Sequence, residues 1–171
     1  MNRVFWMFVD ICRLRIGPQD LPTSTTLLVV SLLAYLALAI VLSLLQMPVI
    51  KSLLAAGLDT LLFAALSYFL LWARLLANRW VQTCTALAGS GVVLQLIALP
   101  FMIWQTRLGP ENSMAIVPTA FMMALLFWNL VVVGHILRHA LSTTMGAGAV
   151  LATVYMFISM SIIRILFFTG T

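Results

Sequence analysis

The sequence predicts an all-α fold, a bundle of five transmembrane helices preceded by an interfacial amphipathic helix. Of the 171 residues, 64% are apolar or aromatic and 8% are charged, whereas charged residues make up about a quarter of soluble domains. Five apolar runs are each close to the roughly 20 residues that cross the hydrocarbon core of a bilayer. Because these runs lack the alternating polarity of transmembrane strands, we expect helices.

The first element is predicted to be a helix over residues 1–16 that lies in the membrane interface. Its apolar run is interrupted at Asp10 and no small-residue cleavage site follows, so the segment lacks the pattern of a signal peptide. From Arg3 onward, Trp6 and polar residues recur at spacings of three and four, which gives one narrow stripe on an otherwise apolar helix. Such a stripe is typical of a helix at headgroup depth. We expect it either to cover the cytoplasmic end of the bundle or to offer a docking surface.

Residues 17–24 are predicted to form an elbow between this helix and the first span. Gly17 is expected to end the helix in a left-handed conformation, and Pro18 prevents the helix from continuing. The hydroxyl group of Thr23 or Ser24 is then expected to cap the first span by accepting a backbone N–H.

Four polar residues at the elbow are candidates for contact with a partner. Gln19 and Asp20 would be held at a rigid corner that faces the cytoplasm, and Arg13 and Arg15 precede them. Asp20 is also expected to favour the positive end of the first span's dipole. The elbow is therefore predicted to be either a structural corner or a docking site.

Five predicted spans follow the elbow and form a single membrane domain. They cover approximately residues 25–46, 53–73, 83–104, 115–137 and 147–168. The connections between them are short, so neighbours in sequence are expected to pack as antiparallel pairs. No connection is long enough for a soluble domain, which confines any chemistry to the bundle and its rims.

The basic residues predict the orientation of the chain in a bacterial inner membrane. With a cytoplasmic N-terminus and a periplasmic C-terminus, six of the nine basic residues lie inside, in agreement with the positive-inside rule. The nine are scattered rather than clustered, so no nucleic-acid partner is expected in spite of the net charge of +5. The six are Arg3, Arg13, Arg15, Arg74, Arg79 and Arg138, and the other three are Lys51, Arg107 and Arg164.

Asp59 is an acidic residue inside the second predicted span, in its outer third. A charged side chain at mid-membrane costs about 2.5 to 3.5 kcal/mol on insertion scales. Arg164 of the fifth span is expected at a similar depth, so the two are predicted to form an intramembrane ion pair. Two alternatives remain: Arg164 reaches the outer interface while Asp59 is protonated, or Asp59 belongs to a proton or cation pathway.

Two amides and two histidines complete the candidate residues. Gln95 and Asn129 lie near the middle of the third and fourth spans, where amides are expected to hydrogen-bond across helices. At the inner end of the fourth span, His135, Arg138 and His139 share one helical face. They are expected to offset the helix dipole and to contact anionic lipids at the cytoplasmic rim. Further ligands are missing nearby, so no metal site is predicted, and no cofactor.

The arrangement of spans resembles the bacterial branch of the Yip1-domain family of small integral membrane proteins. The resemblance is carried by five spans after a cytoplasmic segment with a Gly-Pro element. Eukaryotic members have Asp-Leu-Tyr-Gly-Pro before the first span, whereas here Gly17 and Pro18 precede Asp20 and Leu21 and the tyrosine is lacking. The resemblance implies a non-enzymatic role in membrane organisation or partner recruitment.

Two functions are predicted. The chain lacks the GxSxG, HExxH, Walker and CxxC patterns of common enzymes. The first prediction is a scaffold, assembly or recruitment factor for another integral membrane protein or a second copy of the chain. The alternative is a small permease or a proton or ion pathway that uses Asp59, Gln95 and Asn129.

Overall fold

A computed structural model describes residues 2–108 and 112–168, apart from the side chains of residues 2, 163, 164 and 166–168. Within these residues the chain forms six α-helices and no strand. Short 3₁₀ turns precede α2, α4 and α5. The helices are α1 Asn2–Cys12, α2 Thr25–Leu44, α3 Val49–Ala73, α4 Trp80–Leu108, α5 Ile116–Ala140 and α6 Met145–Phe168.

Five of these helices, α2 to α6, are long and apolar enough to cross a membrane. The prediction of an all-α fold with five potential spans is therefore confirmed for the described residues. α3 and α4 begin before the predicted spans, at Val49 and Trp80, and α4 continues to Leu108. Hydropathy marks only the apolar stretch, whereas the α3 helix also includes the polar side chain of Lys51 near its start.

α4 lies at the centre of the bundle and packs against α1, α2, α3 and α5. Its segment 83–90, TCTALAGS, is buried at every position. These mostly small side chains let neighbouring helices approach closely, as is typical of helix packing in membranes. α5 and α6 form a second close pair, in which a Cβ added to Gly148 would collide with the Gly134 carbonyl oxygen.

The end of α1 differs from the prediction, because Gly17 does not terminate the helix. α1 ends at Cys12, and the left-handed residue after it is Leu14, with φ of 61°. Backbone hydrogen bonds close this turn, among them Arg15 N to Asp10 O at 2.9 Å, in the pattern of a Schellman motif. Gly17 instead has an extended backbone, with φ of −109°.

The bundle itself explains why α1 ends early. Side chains of α4 and α5 donate three hydrogen bonds to backbone carbonyl groups of the last residue of α1 and of the segment between α1 and α2. In a helix that continued to residue 16, the Cys12 carbonyl group would accept from the N–H of Ile16, so the early end of α1 leaves it free for Trp128. The expected place of His135 on the rim needs correction, since its side chain is 2% exposed and binds this segment. The bonds are Trp128 Nε1 to Cys12 O (3.1 Å), His135 Nε2 to Ile16 O (3.0 Å) and Gln82 Nε2 to Leu21 O (2.7 Å).

The predicted cap of α2 is confirmed, and Asp20 makes a hydrogen bond that was not predicted. Ser24 Oγ accepts a hydrogen bond from Leu27 N at 3.3 Å and caps α2. Asp20 Oδ2 accepts from Gly17 N at 2.8 Å, so its carboxylate closes the 3₁₀ turn of the elbow. We call the end of the bundle that carries this turn and the α3–α4 and α5–α6 connections the elbow end.

Candidate functional site

The carboxylate of Asp59 lies where α2, α3 and α6 meet. Tyr35 Oη of α2 donates a hydrogen bond to Asp59 Oδ2 at 2.8 Å, and Ser159 Oγ of α6 donates one to Oδ1 at 3.0 Å. Each carboxylate oxygen therefore has a donor, and the two donors come from different helices. All three residues lie within three positions of the midpoint of their helix. Asp59 is thus nearer the middle of the bundle than the outer third that its sequence position predicts.

The predicted ion pair between Asp59 and Arg164 lies outside the described residues, because the Arg164 side chain is not among them. The described partner of Asp59 on α6 is Ser159. Arg164 follows Ser159 by five positions, which corresponds to about 7.5 Å along a helix axis.

A cavity of about 230 Å³ lies beside this cluster, between α2, α3, α4, α5 and α6. Most of its wall consists of aliphatic side chains of α4 and α5. Tyr35 belongs both to the Asp59 cluster and to the wall, and its ring stacks on Phe63 with ring centres 5.1 Å apart. We call this space the central cavity; its polar lining residues are Tyr35, Gln95, Asn129 and Tyr155.

The two predicted amides face the central cavity together. Gln95 Oε1 is buried and has no hydrogen-bond partner among the described residues, so this atom does not make the cross-helix bond that we expected. A buried acceptor without a partner costs about 1 to 3 kcal/mol. Gln95 and Asn129 come from adjacent helices and line the same space, where a ligand or water molecule can donate to the free oxygen.

The hydroxyl groups that bind Asp59 were not predicted from the sequence. Serine and threonine in helices commonly bond to a carbonyl of their own helix, as Thr60 does to Ala56 O at 2.8 Å. A hydroxyl residue in an apolar span therefore carries little signal. The cost of burying Asp59 was the available signal, because it requires donors from neighbouring helices, here Tyr35 and Ser159.

The remaining candidate residues lie at the elbow end. Arg138 and His139 are partly buried near the turn between α5 and α6, and the His139 ring centre lies 4.7 Å from that of His135. In the part of the chain that is described, no group of three or more His, Cys, Asp or Glu side chains is placed to hold a metal ion. The exposed candidates for partner contact are Arg13, Arg15, Gln19 and Asp20.

Comparison of the chain with protein-family models, with curated proteins and with solved structures gives no match. The likeness to the Yip1-domain family therefore remains a resemblance in the order of the spans. A functional proposal has to rest on the geometry around Asp59 and the central cavity.

Proposed function

We propose that the chain is a small permease or proton pathway that binds a small solute or ion in the central cavity and uses Asp59 as its titratable group. The proposal rests on one observation: Tyr35 connects the Asp59 carboxylate to a cavity that is also lined by Gln95, whose buried side-chain oxygen has no partner among the described residues. Binding near the bilayer midplane is the arrangement that many transporters use.

The position of Asp59, partly buried near the middle of its helix and bonded by two other helices, supports a functional role over a purely structural one. Buried ionic groups often contribute no net stability compared with apolar residues of similar size. An ionisable residue inside a transmembrane helix is therefore typical of ion and proton pathways.

Protonation of Asp59 would change the hydrogen bonds at the cavity wall. The ionised carboxylate only accepts, and so orients the Tyr35 hydroxyl towards Oδ2. A proton on Oδ2 turns this atom into a donor to Tyr35 Oη. The tyrosine proton is then free to turn towards another acceptor, which couples proton uptake to the polarity of the cavity.

The orientation that we propose has the elbow end in the cytoplasm of a bacterium, with the chain as a multi-pass inner-membrane protein. The basic residues just before the elbow, those between α3 and α4, and Arg138 in the last turn of α5 support this orientation through the positive-inside rule. In this setting α1 lies in the inner interface, since Phe5 and Trp6 are 46% and 55% exposed while Phe8 and Ile11 are buried against the bundle.

Proton flux into liposomes that contain the purified chain tests the proposal. We expect the wild-type chain to dissipate an imposed pH gradient faster than empty liposomes, and Asp59→Asn to reduce this flux at least tenfold. Thr60→Val is the matched control, because the Thr60 hydroxyl bonds only to its own helix at Ala56 O. Equal flux in wild-type and Asp59→Asn liposomes, with solutes of several classes present, contradicts the proposal.

A scaffold or recruitment role is the second candidate, and the exposed elbow favours it. The 3₁₀ turn fixes the elbow through the Asp20–Gly17 hydrogen bond, which leaves the Gln19 side chain exposed. If the elbow recruits a membrane protein or a second copy of the chain, Gln19→Lys will weaken crosslinking to that partner in native membranes. Asn78→Lys, at an exposed position of the same end, is the control and should leave crosslinking unchanged.

A further inference from the structure

A second, polar cavity of about 460 Å³ lies at the turn between α5 and α6 and is open to the surface. Two polar atoms on its lining residues are buried without a hydrogen-bond partner among the described residues: Arg138 Nε and Thr143 Oγ1. An arginine N–H and a hydroxyl group are both able to donate, and Arg138 carries a permanent positive charge. The cavity therefore has donors and positive charge that an anion can use. Its lining residues are Arg138, His139, Ser142, Thr143, Thr144 and Met145.

The backbone around this cavity is fixed in position. Ser142 adopts a left-handed conformation with φ of 52°, and Thr143 N donates to Arg138 O at 2.9 Å. Arg79 Nη1 donates to Ser142 Oγ at 3.0 Å, which brings a second guanidinium group close to the turn. The first turn of α6 begins here and adds the positive end of a 24-residue helix.

An apolar groove of about 440 Å³ adjoins the polar cavity. Thr143 lines both spaces, so they meet at its side chain. The groove runs between α3 and the start of α6, with Leu70, Val150 and Leu151 in its wall. Neither lining contains an acidic residue within the described chain. A free anion has no apolar part that could occupy such a groove, whereas the acyl chain of a lipid can.

We propose that this region binds one phospholipid, with the headgroup phosphate between Arg138, Thr143 and the first turn of α6 and an acyl chain in the adjoining groove. The phosphate oxygens accept from the guanidinium group of Arg138 and the hydroxyl group of Thr143, two lining side chains whose Nε and Oγ1 atoms have no partner among the described residues. This proposal differs from a general attraction between basic residues and anionic lipids. A specific site binds one lipid per chain, whereas general attraction sets no fixed number. The proposal does not depend on the function of the central cavity.

The proposal is tested by adding lipid to the delipidated chain in detergent and measuring the bound lipid by native mass spectrometry. We expect one dioleoyl phosphatidylglycerol to bind per chain, with affinity reduced about tenfold by Arg138→Gln and about threefold by Thr143→Val. Arg107→Gln and Thr106→Val are the matched controls at the opposite end of α4, and they should leave the affinity unchanged.

A groove variant and inorganic phosphate distinguish the lipid from a free anion. Ala147→Phe fills the groove at an exposed position, so it should weaken binding of phosphatidylglycerol about fivefold or more. Inorganic phosphate at millimolar concentration should compete only weakly with the lipid. The proposal is overturned if phosphate alone competes fully with the lipid, or if the Arg138 and Thr143 variants bind the lipid as the controls do.

Discussion

In the middle of the bundle, both oxygens of the Asp59 carboxylate accept a hydrogen bond, one from Tyr35 and one from Ser159. At the elbow end, Arg138 Nε and Thr143 Oγ1 are buried without partners among the described residues. The Asp59 carboxylate thus has both of its oxygens bonded by other helices of the bundle. The elbow end has donors that an anionic ligand from outside the chain can use.

Other donors of α5 hold the amino-terminal segment in position. Trp128 binds the carbonyl group of Cys12, the last residue of α1, and His135 binds that of Ile16. Some side-chain donors of α5 therefore bind the backbone before α2, whereas Arg138 and Thr143 are the donors that we propose bind a ligand.

The largest expected effect is at the middle of the bundle. Tyr35→Phe removes the donor to Asp59 Oδ2 and should lower the free energy of unfolding by about 1 to 2 kcal/mol, because a charged acceptor loses its partner inside an apolar bundle. Chemical denaturation in mixed micelles measures the change. Tyr68→Phe is the control, since Tyr68 is 47% exposed. Equal stability of the two variants contradicts the importance of the Tyr35 bond.

A smaller effect is expected where the bundle holds the elbow. Trp128→Phe removes the hydrogen bond to Cys12 O and should destabilise the docked segment by about 0.5 to 1 kcal/mol. Cys12 is buried and its thiol is free, so its rate of reaction with N-ethylmaleimide reports local opening. We expect an increase of about two- to fivefold at constant pH, measured in a Cys84→Ala background because Cys84 is also a free thiol.

The rate at which the Cys12 thiol reacts with N-ethylmaleimide should depend on pH. Burial raises the pKa of Cys12 to about 11, and the thiolate is the reactive form. In the folded chain the labelling rate should therefore keep rising with pH up to about 11, whereas an unfolded thiol levels off near its ordinary pKa of about 8.5. A plateau near the ordinary value in the folded chain would show that Cys12 is accessible to solvent.

The smallest expected effect concerns backbone strain at the elbow end. Leu75 has φ of 58° and is 92% exposed, so it packs little and occupies a conformation that favours glycine. Leu75→Gly should raise the free energy of unfolding by about 0.5 kcal/mol, since relief of strain exceeds the entropy gained by the unfolded chain. Leu53→Gly, at an exposed position inside α3, should lower stability by about 1 kcal/mol.

Hydropathy predicted the five long helices, because an apolar run of sufficient length has few other stable structures in a bilayer. It did not predict the end of α1. Leu14, rather than Gly17, takes the left-handed position, and the early end of α1 leaves the Cys12 carbonyl group free to accept from Trp128. Tertiary contacts of this kind are not encoded in the local sequence.

The candidate site was predicted in part. Asp59, Gln95 and Asn129 stand out because polar residues are costly in apolar spans. Tyr35 and Ser159 do not stand out, because their contact with Asp59 depends on how α2 and α6 are rotated about their axes. A span that is apolar on all faces carries no periodic signal for that rotation.

The central claim is that Asp59 takes up and releases a proton inside the bundle, and infrared spectroscopy of the reconstituted chain during a pH titration tests it most directly. The sequence has only four Asp and Glu residues, so the bands of protonated carboxyl groups can be assigned by substitution. We expect a band that appears reversibly as pH falls, is absent in Asp59→Asn, and shifts in Tyr35→Phe because the tyrosine hydroxyl contacts that carboxyl group. Identical spectra of the wild-type chain and Asp59→Asn across the titration would contradict the claim.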